Sequence, residues 1–428
     1  MRFYSTNKSA PSVSFREAVL KSLPEDRGLY FPEEIPELDF LFLETLDYYS
    51  KSDIGYEVLR QFCSEDIPEA KLREILDDAL DFEIPLVKVS DNIYSLEMTH
   101  GPTYAFKDVG ARFLARCLGY FNESNNTEVT ILVATSGDTG GAVAAGFYDV
   151  PGVNVVILYP TGKVSELQEK QLTTLGKNIR ALEVDGNFDD CQAMVKKAFL
   201  DKDINEKLTL SSANSISIAR WLPQSIYYFW AYREAPTKKN LVMSVPSGNY
   251  GNLTAGLLAY KMGLPISRFI AASNVNDVVP RYLVSSEYEP KPTIHTLSNA
   301  MDIGDPSNYS RMMELFEHDH KAIAGVISGY TLNDEDTLEV IKTCYDENDY
   351  ILDPHGAIGY DALKKGLEKK ETGIFIETAH YSKFLSTVNK ALGKELPLPE
   401  FVDDLMKKEK VAVKIDATFE ALKEQLLS

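Results

Sequence analysis

The chain has 428 residues, 44% hydrophobic and 25% charged. A chain of this length should expose roughly 16,000 Å² when folded and bury about three quarters of its unfolded surface. That excludes a stapled mini-protein and wholesale disorder, and leaves room for two or three domains. Its 44 basic and 64 acidic side chains give a net charge of −20. Such a surface repels nucleic-acid backbones and anionic membranes, so neither is expected as a principal partner.

The opening residues MRFYSTNKSAPSVSF contain no apolar leader, and no stretch has the length and apolarity of a membrane span. Cys63, Cys117, Cys191 and Cys344 lie far apart, with no zinc-finger spacing. A reduced, cytoplasmic setting without a metal is therefore expected. Residues 1–100 hold 21 acidic and 10 basic side chains, which is −11 of the total. Apolar residues recur there at three- and four-residue intervals in FREAVLKSL, FLETLDYYSKSDIGYEVLRQF and IPEAKLREILDDAL, and prolines punctuate them. The pattern predicts a solvated, acidic helical domain over residues 1–93 that packs against the rest.

From residue 94 onward, short apolar runs alternate with helical stretches: VTILVA (129–134), VNVVILYP (153–160), LVMSVP (241–246), FIAASN (269–274) and GIFIET (373–378). Continuously apolar strands between helices predict α/β architecture with parallel sheets. Ligands of such sheets bind in the loops leaving the carboxyl ends of the strands.

Two of these loops are alike. Thr135-Ser136-Gly137-Asp138-Thr139-Gly140-Gly141 follows one strand, and Ser247-Gly248-Asn249-Tyr250-Gly251-Asn252 follows another; each precedes a helical pattern. Glycines there permit a sharp turn that presents several N–H groups at a helix N-terminus, a setting suited to phosphate or carboxylate. Neither loop carries G-x-G-x-x-G. Gly162-Lys163 is not a Walker A end, because Ile157 stands where its first glycine belongs. In SANSISIARWLPQSIYYFWAYREA (212–235), Asn214 or Ser215 can cap a helix, with Arg220 about a turn and a half further on. Its aromatic cluster reads as core packing. Lys107, between Phe106 and an amphipathic helix, is placed to have a lowered pKa and to act as a nucleophilic amine. The alternating His318 and His320 read as a polar helix end, and residues 401–428 as strand-poor, helix-ended surface.

HGPT-x-AFKD (100–108), ATSGDTG (134–140), YP-x-GK (159–163), SANSISIAR (212–220), PSGN-x-G-x-LTAG (246–256), NVND (274–277), LSNAMDI (297–303), DPHGA (353–357) and ETAH (377–380) together resemble the threonine synthase family, in order and over nearly the whole chain. The resemblance implies the fold of type II pyridoxal-phosphate enzymes: two parallel-sheet α/β lobes over residues 94–428, the smaller lobe roughly 126–235, behind a helical N-terminal domain. It implies pyridoxal 5′-phosphate bound to Lys107 as a Schiff base. Gly248, Asn249, Tyr250, Gly251 and Asn252 would hold the cofactor phosphate, and Thr378 would lie opposite the pyridine nitrogen. The implied substrate is O-phospho-L-homoserine, which is converted with water to L-threonine and phosphate. Thr135, Ser136, Gly137, Asp138 and Thr139 would take its carboxylate, and Lys163, Asn214, Ser215 and Arg220 its phosphate. Arg112 and Lys383 are further cationic candidates. Asp138 stands where many relatives of the wider fold have Asn, and an ionised Asp cannot donate a hydrogen bond to the cofactor 3′-oxygen. A serine/threonine dehydratase would lack the need for the phosphate-holding set, and a non-catalytic relative would not need every site position filled. A monomer or homodimer is expected, with lobes closing over the substrate.

Overall fold

Each of the five apolar runs becomes a strand in the computed structural model, which describes residues 1–123 and 128–428. They are Val129–Ala134 (β6), Val153–Pro160 (β7), Leu241–Pro246 (β10), Arg268–Ser273 (β11) and Thr372–Glu377 (β13). Leu86–Ser90 (β4), Ile93–Glu97 (β5) and Ile327–Thr331 (β12) complete a six-stranded sheet in the order β12-β11-β10-β13-β5-β4. All its pairings are parallel except β4 with β5. Ile179–Asp185 (β8), Thr209–Ser211 (β9) and Val413–Asp416 (β14) join β6 and β7 in an all-parallel sheet ordered β14-β8-β7-β6-β9. Burial on both faces explains why β6 and β10 read as unbroken apolar runs, buried at every position.

Two expectations need correction. The C-terminal stretch read as strand-poor surface supplies β14 to the smaller sheet, and its last helix, Phe419–Leu427, buries Leu422 and Leu426 against that sheet's core. Four residues, two of them charged, carried too little pattern to show this. The N-terminal region has its expected helices, Phe15–Lys21, Phe40–Glu44, Lys51–Cys63 and Glu69–Ala79. It also has an antiparallel sheet of Arg2–Ser5 (β1), Val13–Ser14 (β2) and Tyr30–Pro32 (β3). Its Phe3, Phe31, Val58 and Leu76 lie in the same buried cluster as Phe113, Trp221 and Leu253, so the region packs against the rest as expected, and only its sheet was not expected. The expected lower edge of the smaller lobe, residue 126, lies outside the described residues, and that lobe's sheet also draws on 413–416.

The topology places the chemistry. The parallel strands β5, β13 and β10 end side by side at Glu97, Glu377 and Pro246. The segments beginning at 98, 378 and 247 therefore leave one edge, and adjacent strands are about 4.8 Å apart. In the smaller sheet, β6, β7 and β9 release the segments 135–141, 161–165 and 212–217. The Lys383–Asp138 ion pair and the hydrogen bond from Asn249 to Ser215 tie these two sets of loops together.

Candidate active site

Lys107 is the first residue of helix Lys107–Glu123. The turn before it is fixed on two sides: Phe106 N–H donates to the Thr378 carbonyl at 2.9 Å, and the Phe106 carbonyl accepts from the Tyr227 hydroxyl at 2.7 Å. The amine lies 5.7 Å from the Phe106 ring centroid. Burial lowers its pKa to about 8, opposed by the charge of Asp138 and assisted by those of Arg220 and Lys383. One cluster thus contains Lys107, Asp138, Arg220 and Lys383, drawn from four separate segments.

Asp138 is nearly fully buried and ion-paired to Lys383, Nζ to Oδ1 at 2.8 Å. Gln168 Nε2 donates to the same oxygen at 3.0 Å. Burial alone would raise the Asp138 pKa, but Lys383 and Lys107 overcome it and hold the carboxylate well below its usual range. The turn around it is braced by Thr135, whose Oγ1 accepts from Gly137 N–H and Gly140 N–H, both at 2.9 Å. Gly137 has φ +138°, and a Cβ there would lie 2.4 Å from Gln168 Cδ, so glycine is required on both counts. Ser136 and Thr139 complete this turn at the head of helix Asp138–Phe147.

In the second turn, the side chains face inward as braces. Asn252 Oδ1 accepts from the Ser247 hydroxyl at 2.9 Å, and its Nδ2 donates to the Pro246 carbonyl at 2.8 Å. Asn249 Nδ2 donates to Ser215 Oγ at 2.6 Å, while its Oδ1 accepts from Ser307 N–H at 2.6 Å. Tyr250, left-handed at φ +58°, is hydrogen-bonded through its hydroxyl to Ser273 Oγ. The N–H groups of Gly248, Asn249, Tyr250, Gly251 and Asn252 have no acceptor among the described residues. Five such donors in a row at a helix N-terminus fit a phosphate. A Cβ on Gly248 would lie 2.5 Å from Met301 Cα.

The phosphate-holding set is distributed unevenly. Arg220 is buried, donates through Nη1 to the Ala213 carbonyl, and has Nε without a partner. Burial lowers its pKa to about 10. The Ser217 hydroxyl beside it is also buried and unpartnered. Neither Asn214 nor Ser215 caps the helix, since Ser217 occupies that position of Ile218–Trp221. They are half-buried, and the Ser215 oxygen takes the bond from Asn249. Lys163 is exposed just beyond β7, with no acidic partner among the described residues. Arg112 does not join the site: Asp78 of the N-terminal region holds it at 3.0 Å. Lys383 is too buried and too fully engaged to serve as a free anion-binding cation.

The sequence reading missed the supports. Arg311, fully buried, donates to the carbonyls of Tyr30, Ser215 and Ile216 and to Asn308 Oδ1. Tyr228 donates to the Asn252 carbonyl at 2.7 Å. His318 bonds Glu314 at 3.0 Å and His320 packs on Tyr282. Thr378 is buried where β13 gives way to the next segment.

A lysine on a desolvated turn beside a free N–H cradle, both at the carboxyl edge of a parallel sheet, defines a pyridoxal-phosphate-dependent enzyme, and residues 84–378 match the family model "Pyridoxal-phosphate dependent enzyme". Residues 2–80 match "Threonine synthase N terminus" and residues 356–426 match "Threonine synthase, C-terminal". The chain belongs to the threonine synthase family. It is 46% identical to the threonine synthase of Haemophilus influenzae, with all of both chains covered. The crystal structure of threonine synthase from Escherichia coli superposes with a TM-score of 0.93 at 42% identity, covering 100% of this chain and 99% of that one. The pyridoxal-phosphate-bound threonine synthase of Brucella melitensis gives 0.94 at 34% identity, covering 100% and 98%.

Proposed function

We propose that the chain converts O-phospho-L-homoserine and water to L-threonine and phosphate, acting in the cytoplasm as a monomer or homodimer. The observation that carries this reading is the run of five N–H donors at 248–252 without an acceptor among the described residues, which suits a cofactor phosphate. A place for a second phosphate is supported by buried Arg220, whose Nε has no hydrogen-bond partner among the described residues, with Lys163 an exposed cation beyond β7. On this reading the N-terminal region extends to residue 93 and the catalytic region runs from 94, a division supported by the matched spans 2–80 and 84–378.

Pyridoxal phosphate, when bound, supplies a sink for the electrons left on a deprotonated substrate carbon. Lys107 carries it through Nζ. Its Nζ, with a pKa lowered by burial to about 8 in the cofactor-free chain, is suited to take up and return protons near neutral pH. Gly248 to Asn252 hold the cofactor phosphate through main-chain N–H groups, their side chains keeping the turn rigid. Thr378 offers the pyridine nitrogen a neutral hydroxyl. Thr135 keeps the turn of Ser136, Gly137, Asp138 and Thr139 open for the substrate carboxylate. Lys163, Asn214, Ser215 and Arg220 hold the departing phosphate, where Arg220 contributes a charge-assisted donor in a dry setting.

The test is inorganic phosphate release from O-phospho-L-homoserine with threonine formed in equal amount, set against ketoacid production from threonine. Equal phosphate and threonine, abolished by Lys107→Ala, is the expected result. Ketoacid without phosphate release would favour a dehydratase instead.

A further inference from the structure

Lys383 is the least explained cation of the site. It lies in a short 3₁₀ turn, Tyr381–Phe384, just beyond β13, and is 1% exposed. Two of its three ammonium donors are used, on Asp138 Oδ1 and on the Thr103 carbonyl, both at 2.8 Å. Asp138 Oδ1 accepts a second bond from Gln168, whose own Oε1 accepts from Ser165 N–H in a capping box. A carboxylate so held is ionised and can only accept. A buried ion pair of this kind is costly to desolvate and adds stability only where its geometry and bonding are complete, and apolar residues would fill the space as well. Lys383 is bonded to the Thr103 carbonyl in the turn that leads to Lys107, and Phe106 is bonded to Thr378 of the segment that carries Lys383, which gives the pair a second role.

We propose that Lys383 is a positioning residue that acts through Asp138: the pair fixes a carboxylate beside Lys107 Nζ and sets how readily that nitrogen keeps its proton when it carries the cofactor. The proposal rests on the cofactor reading of Lys107. The charged groups facing Lys107 are Asp138 from helix Asp138–Phe147, Arg220 from helix Ile218–Trp221 and Lys383 itself. Asp108, on the same helix as Lys107, is turned to Thr103, accepting from its N–H at 2.9 Å and from its hydroxyl. The environment of Lys107 therefore holds two cations and one close anion. Loss of Lys383 leaves one of each, and loss of Asp138 leaves two cations.

The charges then predict shifts of opposite sign. The readout is the visible absorbance of the cofactor-loaded protein, titrated with pH to find the midpoint at which the lysine-linked nitrogen loses its proton. Lys383→Met should raise that midpoint by about one pH unit, and Asp138→Asn should lower it by a similar amount. The double variant Asp138→Asn/Lys383→Met, which removes both charges of the pair, should fold and return near the unsubstituted midpoint. Thermal unfolding is measured in parallel. Single-variant midpoints within about 0.2 unit of the unsubstituted value, single shifts of the same sign, or a double variant displaced by about a full unit overturn the proposal and leave the pair a packing device. If the unsubstituted protein develops no visible band with pyridoxal phosphate, the cofactor reading fails, and this inference fails with it.

Discussion

At the scale of single residues, the site is governed by what burial does to charge. Lys107 loses its proton at about 8 in the folded chain, against 10.4 for an ordinary lysine. Between those values the unfolded chain holds more protons, so this residue's contribution to stability rises as pH climbs through the window. Below about 8 the full cost of burying an ammonium is present. In the cofactor-free protein, Lys107→Met should therefore be more stable at pH 7 by about 1–3 kcal/mol, the gap shrinking as pH approaches 10.5. Thermal midpoints of both proteins at pH 7 and pH 10 check this; a gap that does not change with pH refutes it. Lys107 was legible mainly through the motif HGPT-x-AFKD around it, since its setting is built from Asp138, Arg220 and Lys383 of other segments. Lys383 was named only as a candidate cation and Gln168 not at all, since the group that gives each its meaning, Asp138, stands 245 and 30 residues away.

Among elements, the aromatic helix Ile226–Glu234 contributes more than bulk. Its apolar faces fill the core as the sequence suggested, but two polar tips hold pieces of the site, Tyr227 the carbonyl before Lys107 and Tyr228 the carbonyl of Asn252, while Trp230 holds the carbonyl of Ile84 outside it. Aromatic residues that end in a donor are suited to this, being anchored by their rings and directional at their tips. Tyr228→Phe keeps the ring and deletes the bond, leaving a buried carbonyl unmet at a cost of about 1–3 kcal/mol. Pyridoxal phosphate should then bind several-fold more weakly, measured by spectral titration, with the fold retained; unchanged affinity would show that the phosphate turn does not depend on this helix. The two glycine turns were legible because they follow strands with strong apolar patterns. The tips of the aromatic helix were not, because composition shows that a tyrosine is present but not where its hydroxyl ends.

The molecule as a whole brings its acidic N-terminal region to the site. Arg311 joins β3, the 215–216 segment and Asn308, and Asp78 receives both Arg112 and Arg116. Ser22 bonds the Ser212 carbonyl at 2.9 Å. The segment that carries Asn214, Ser215 and Arg220 is thus positioned from outside the two large sheets. Arg311→Lys cannot reproduce a planar fork reaching several carbonyls. It should raise KM for O-phospho-L-homoserine more than it weakens cofactor affinity, which steady-state kinetics and spectral titration separate; equal losses in both would mean general unfolding. The smaller sheet draws its edge strand β14 from the far end of the sequence, pairing Val413 to Asp416 with Leu182 to Asp185. During vectorial synthesis on the ribosome, the six-stranded sheet can therefore be complete while the other still lacks an edge. The nascent chain spends that interval with β8 open to any passing strand, a period in which chaperone cover matters more than it does for the released protein.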